Sequence, residues 1–186
     1  ARRMNQQAEV QLLRDARAYR EAYTLQGKLV KATPDNDDLE YELAMLADKL
    51  GRHDEMERLL RKVIARNPNY QHALNALGYS LADRGVQLEE ARLLIERALS
   101  LAPNDPFITD SLGWIEYRMG NMPQARQLLE RAYRLRPDAE IAAHLGEVLW
   151  VLGEKAAARK LWKESARLNA DNEVLRETLK RLGVKP

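Results

Sequence analysis

Apolar residues recur along this chain at helical spacing, in blocks that return at a nearly constant interval. Ala91, Ile95 and Ala98 form one block, Ala125, Leu129 and Ala132 the next, and Ala158, Trp162 and Ser165 a third. Steps of three and four residues put each block on one face of a helix. Seven of the nine glycines fall into two registers: Gly78, Gly113 and Gly146 in one, Gly51, Gly85, Gly120 and Gly153 in the other. Pro34, Pro68, Pro103 and Pro137 keep the same beat. The pattern predicts repeats of helix, turn and helix at about 3–36, 37–70, 71–105, 106–138 and 139–172, closed by one further helix from 173.

Each marked position has a physical reason. A glycine inside a helix costs about 1 kcal/mol relative to alanine, so Gly78, Gly113 and Gly146 are expected to permit close approach of the paired helix, with Ala91, Ala125 and Ala158 facing them. The second glycine register supplies a left-handed residue that ends the first helix without steric cost. Proline after the second helix forbids its continuation. Asn36, Asn69, Asn104 and Asp105 then offer side chains to cap the helix that follows.

The departures matter as much as the pattern. Repeat two has Ala44 in the helix-glycine register and Met56 where the others have alanine, which predicts looser packing. The third repeat carries one extra residue near Val86 to Leu88, expected to form a bulge at the turn. The first has Arg17 in place of the turn glycine. Residues 1–36 therefore read either as a degenerate helix pair or as one long amphipathic helix with Val10, Leu13, Ala16, Tyr19 and Tyr23 along its apolar face, the broken pair being favoured. Lys180 occupies the helix-glycine register of the last helix, so residues 173–183 are expected to cap the array, with one face in solvent. The first residues offer no comparable cap. Upstream repeats are therefore expected, and the face near Val10 and Leu13 is expected to be exposed and to mediate self-association.

Composition narrows the function classes. Hydrophobic residues make up 45% and charged residues 31% of the chain, which suits a folded helical protein. No apolar run approaches the roughly 18 residues of a membrane span. Thirty basic residues against 28 acidic ones are too balanced to call for a nucleic-acid partner. There is no cysteine, so disulfides, thiolate nucleophiles and zinc–thiolate sites are excluded. His53 falls in a turn, His72 at a helix start and His144 within a helix. None has a cysteine or a second histidine at ligand spacing, and all three read as surface or capping residues. No glycine-rich phosphate loop is present. Asp110 and Glu147 could converge as a carboxylate pair, although nothing places a nucleophile beside them. No cofactor and no catalytic group is predicted.

The dense register of Leu77-Gly78, Leu112-Gly113 and Leu145-Gly146, with its turn glycines, small residues and prolines, resembles the tetratricopeptide repeat, whose period is about 34 residues. The resemblance is closest in repeats three to five and looser in repeat two. It implies an all-α fold, a right-handed superhelical array of antiparallel helix pairs whose first helices line a concave face. Carried onto this sequence, that face holds Tyr41, Asn75, Tyr79, Asp110, Trp114, Tyr117, Arg118, Glu147 and Trp150. The groove it implies is aromatic and acidic, with Tyr41, Tyr79 and Tyr117 exposed, and it suits a polypeptide carrying basic and apolar side chains. Trp114 and Trp150 are equally well read as packing between repeats. The lysines with which one subgroup of the family clamps chaperone tails are absent, since Tyr41, Asp110 and Ala143 stand in their places.

The runs from Ala73 to Asp83, Asp110 to Trp114 and Glu140 to Trp150 are more particular. They are similar to the C-terminal part of proteobacterial outer-membrane tetratricopeptide lipoproteins. That resemblance, over about residues 35–172, implies an interaction scaffold in the periplasm, tethered by an upstream lipid anchor. It also implies an adaptor role between a carboxyl-terminal processing protease and cell-wall hydrolases. The residues themselves leave the cytoplasm open. They also leave open a recognition arm of a larger enzyme, such as a glycosyltransferase, and a purely architectural role in an envelope complex.

Overall fold

In the computed structural model residues 5–185 are described; residues 1–4, which begin the expected first repeat, and Pro186 lie outside them. The described residues form eleven helices and no strand. In order these are α1 (Gln6–Asp15), α2 (Tyr19–Ala32), α3 (Asp37–Lys49), α4 (His53–Arg66), α5 (Gln71–Asp83), α6 (Leu88–Leu101), α7 (Pro106–Arg118), α8 (Met122–Leu135), α9 (Ala139–Val151), α10 (Lys155–Leu168) and α11 (Glu173–Leu182). The chain divides into two compact units, one ending at Leu77 and the other beginning at Gly78. Helix α5 contributes to both.

The first unit contains the hairpins α1–α2 and α3–α4. Residues 6–32 form two helices, and Arg17 between them adopts φ 57°. That left-handed conformation costs an arginine more than a glycine, and the turn forms here regardless. Asn5 caps α1 through the Gln7 amide, and Asn36 caps α3 through the Leu39 amide at 3.0 Å. The face expected to be open is closed: Val10 is only 4% exposed and packs with Ala22 and Leu46. Leu13 lies partly buried against the same cluster. The reason is that α1 has α2 as its own partner and uses its apolar stripe there, leaving Leu12 as an exposed large hydrophobic residue of this helix.

In the second unit, first and second helices alternate from the end of α5 to α10, and α11 packs on α9. The helix glycines do permit close approach; the nearest atoms belong to side chains larger than the expected alanines, and at Gly78 the Ala91 backbone oxygen lies beside them, 3.1 Å from where a Cβ would stand. A Cβ on Gly78 would lie 2.6 Å from Ile95, one on Gly113 2.7 Å from Leu129, and one on Gly146 2.0 Å from Trp162. The facing side chain is thus the large residue four positions after Ala91, Ala125 or Ala158. Those alanines are themselves fully buried. A cost of about 1 kcal/mol for each glycine is outweighed by full burial of Ile95, Leu129 or Trp162, which contributes about 1.5–3 kcal/mol for an aliphatic side chain. The turn glycines Gly120 and Gly153 take φ 85° and 87°, which is what ends α7 and α9. In the turn before α6 the extra residue is accommodated by Gln87, at φ 47°. Asp105, Asp138 and Asn172 cap α7, α9 and α11.

Candidate functional site

In the second unit the repeat length places a residue beside its counterpart one repeat later. Asp110 on α7 meets His144 on α9, with both carboxylate oxygens 2.9 Å from Nδ1. The Nε2 atom of the same ring lies 3.2 Å from the Tyr79 hydroxyl of α5. His144 is therefore not a surface or capping histidine: it is 1% exposed, and Trp114 stacks on it with ring centroids 4.3 Å apart. Tyr117 stacks in turn on Trp114, at 4.9 Å. Burial alone would favour the neutral imidazole, but the Asp110 carboxylate, with Glu140 and Asp83, outweighs it and raises the His144 pKa above the ordinary histidine value.

Glu147 is the second buried carboxylate. It accepts a hydrogen bond from the Tyr117 hydroxyl at 3.0 Å and a bidentate pair from Arg181 of α11 at 2.9 and 2.6 Å. Burial first, and then the Glu147 charge and hydrogen bond, push the Tyr117 phenol up to about 12. Asp110 and Glu147 thus do not form a carboxylate pair, because each is committed to a different cation. The ligand atoms of Asp110, Glu140 and His144 all lie within 4.8 Å of one another, the one such group among the described residues. The His144–Asp110 hydrogen bonds already satisfy two of its members, so the arrangement reads as a buried ion pair.

His144 and Trp114 line an open cavity of about 320 Å³ together with Tyr79, Asp83, Arg118, Val174, Thr178 and Arg181, and Asp110 and Glu147 bond to two of these lining residues, His144 and Arg181. The Trp114 indole N–H has no hydrogen-bond partner among the described residues. Arg118 is exposed and makes no ion pair among them, while its guanidinium comes within 2.6 Å of where a Cβ on Gly85 would stand. Asp83 and Glu177 bring carboxylates to the same rim. Of the nine residues expected on the concave face, Tyr79, Trp114 and Arg118 line this cavity, and Asp110, Tyr117 and Glu147 are joined to its lining through His144, Trp114 and Arg181. Tyr79 and Tyr117 are half-buried and engaged, not free in solvent.

The other three lie elsewhere. Trp150 is set against α10, with Lys155 4.7 Å and Arg159 5.2 Å from its ring and Trp162 behind it. In the first unit Tyr41 is half-buried between Tyr70 and His72, at 5.7 and 6.1 Å, and its phenol is raised chiefly by burial. It lines a separate cavity of about 370 Å³ with Arg14, Tyr19 and Met45. The Asn75 side-chain oxygen is buried without a hydrogen-bond partner among the described residues. His144, Thr178 and Arg181 were missed from sequence. A search for complementary charges one repeat apart would have found both Asp110 with His144 and Glu147 with Arg181.

The tetratricopeptide repeat family model matches residues 41–106 and 111–173. The TPR repeat-containing protein PA4667 of Pseudomonas aeruginosa is 45% identical over 153 residues, which are 82% of this chain and 26% of that protein. Mouse protein O-mannosyl-transferase TMTC1 is 27% identical over 164 residues, 82% of this chain and 17% of the enzyme. The chain thus spans about a quarter or less of the length of these relatives. Among solved structures, TTC0263, a thermophilic TPR protein of Thermus thermophilus, superposes with a TM-score of 0.81 over 97% of this chain and 100% of its own, at 22% identity. That likeness speaks for the fold alone.

Proposed function

We propose, from the premise that this chain belongs to the tetratricopeptide repeat family, that it is a protein-interaction module whose second unit receives a partner polypeptide in the cavity above Trp114. Its hairpins are a scaffold of the kind that binds proteins. The observation that carries the reading is an open cavity lined by Trp114 and His144, with Arg118 at its rim exposed and making no ion pair among the described residues. Asp83 and Glu177 give the cavity a second polarity, so it selects a side chain or backbone offering both a donor and an acceptor.

The expected acidic groove is revised accordingly. Asp110 and Glu147 are neutralised within the fold and do not recognise the ligand. We further propose the role implied by resemblance, a periplasmic lipoprotein adaptor that brings cell-wall hydrolases to a carboxyl-terminal processing protease. Its support is the resemblance carried by the residues quoted from 73 to 150. The test is hydrolase turnover by the purified protease with and without the full-length protein. Acceleration that falls at least tenfold in Arg118→Glu, with unchanged circular dichroism, supports the site. No acceleration by the wild type sinks the adaptor reading.

A second reading has its own observation. Similarity to an O-mannosyl-transferase favours a recognition arm within a larger enzyme, the repeats serving recognition and the chemistry lying in another domain. Finding a transferase domain in the same open reading frame would select that reading.

A further inference from the structure

Among the described residues five helices occupy the second place of a hairpin, and each has 14 residues. Their ninth residues are Gly27, Arg61, Glu96, Glu130 and Lys163. Four carry long charged chains, and α2 alone carries a glycine. Glycine disfavours a helix interior, so its presence calls for a reason. At Gly78, Gly113 and Gly146 the reason is an internal side chain. At Gly27 there is none, because a Cβ built there meets nothing within 4 Å.

Gly27 instead opens onto a cleft of about 520 Å³ between α2 and α4, within the first unit. Tyr23, Val30, Leu43 and Leu59 make its floor apolar. The two carboxylates that reach it are already matched: Glu40 is bonded to Lys62 and Arg66, and Glu55 receives the Tyr23 hydroxyl and pairs with Arg52 at 3.8 Å. Lys28, Lys31 and Arg58 are exposed at the rim and make no ion pair among the described residues. The cleft therefore combines an apolar floor, a missing side chain that lets another backbone come close, and an uncompensated positive edge.

We infer that the α2–α4 cleft is a docking site for an α-helical segment of a partner protein, apolar along one face and carrying Asp or Glu at its flanks. A helix suits the floor because small residues at a crossing point allow two helices to approach closely, and the three free cations select carboxylates at its edges. This surface shares no lining residue with the cavity above Trp114 and does not depend on the function proposed for it.

The test uses the full chain and three fluorescein-labelled peptides of five helical turns: an amphipathic Leu/Ala helix flanked by Glu, the same helix flanked by Lys, and a scrambled acidic control. Fluorescence anisotropy should show the acidic helix binding at least tenfold more tightly than either of the others. Gly27→Leu fills the cleft where the fold has room, so it should abolish that binding while the melting temperature does not fall. Lys28→Glu/Lys31→Glu/Arg58→Glu should abolish it as well. Equal binding of the acidic and scrambled peptides, or wild-type binding by Gly27→Leu, overturns the inference. Binding of phosphatidylglycerol vesicles that Gly27→Leu removes, with no binding of the acidic helix, overturns it in favour of a lipid.

Discussion

In the first unit the buried carboxylate of Glu40 is met by Lys62 and Arg66 from the second helix of its own hairpin. In the second unit Asp110 and Glu147 are met by His144 and Arg181, each one repeat further on and carried by the next first-type helix or by the cap. The same physical demand, that a buried charge be paired, is satisfied within a repeat in one case and between repeats in the other. A pair inside a hairpin stabilises that hairpin alone. A pair between hairpins couples the stability of neighbours, which in repeat arrays is carried mainly by their interfaces. Packing shows the same contrast, since the helix glycines of the second unit are pressed by large side chains while Gly27 faces open space.

The three tryptophans, Trp114, Trp150 and Trp162, all belong to the second unit. Their fluorescence reports that unit, and far-ultraviolet circular dichroism reports both, so denaturation followed by the two signals separates the units. The largest effect is expected for Asp110→Ala. It strands His144 in the core, and removing one partner of a buried pair costs about 3–5 kcal/mol. The fluorescence transition should move to much lower denaturant; if it stays in place, the between-repeat pair does not stabilise the second unit.

Gly146→Ala comes next. The indole of Trp162 leaves no room for the new methyl, and overpacking of this kind costs about 1–3 kcal/mol. Fluorescence should again shift first, and a variant as stable as the wild type would contradict the close packing of α9 on α10. A smaller effect is expected from pH. The folded-state pKa of His144 is raised, so its contribution is complete below the unfolded value of about 6.5 and is lost as pH rises through the folded value. The wild-type fluorescence midpoint should therefore fall as the pH is taken upward through that window, and the dependence should be weaker in His144→Gln. Gly27→Ala is the smallest change and has the opposite sign. With no clash and a better helix former, it should stabilise the first unit by about 0.4–1 kcal/mol, visible in circular dichroism and not in fluorescence.

Hairpin positions were legible because they depend on local rules: glycine at a positive φ, proline beyond a helix, Asn36 or Asp105 at a cap. The partners of the helix glycines were less so. Choosing Ile95, Leu129 and Trp162 over the alanines one turn earlier requires the rotation of one helix against another, which no single residue encodes. His144 was misread for a related reason. Viewed alone on α9 it has no neighbour at ligand spacing, and its burial follows only from Asp110, one repeat back on α7. Register left Trp150 open between the concave face and packing between repeats, and the contacts of its ring with Lys155 and Arg159 of α10 depend on how the two helices are rotated against each other. Arg17 shows the limit from the other direction, since the turn forms where the expected glycine is missing.

The contacts that link one repeat to the next also bear on how such arrays change by gene duplication. An extra hairpin copied in between α8 and α9 would separate Asp110 from His144 unless the insert brought both an acid and an imidazole at the matching places. A hairpin lost there would leave one of the two without its counterion. The pair therefore acts as a lock on the order of modules in the second unit, making shuffled arrangements less stable than the present succession.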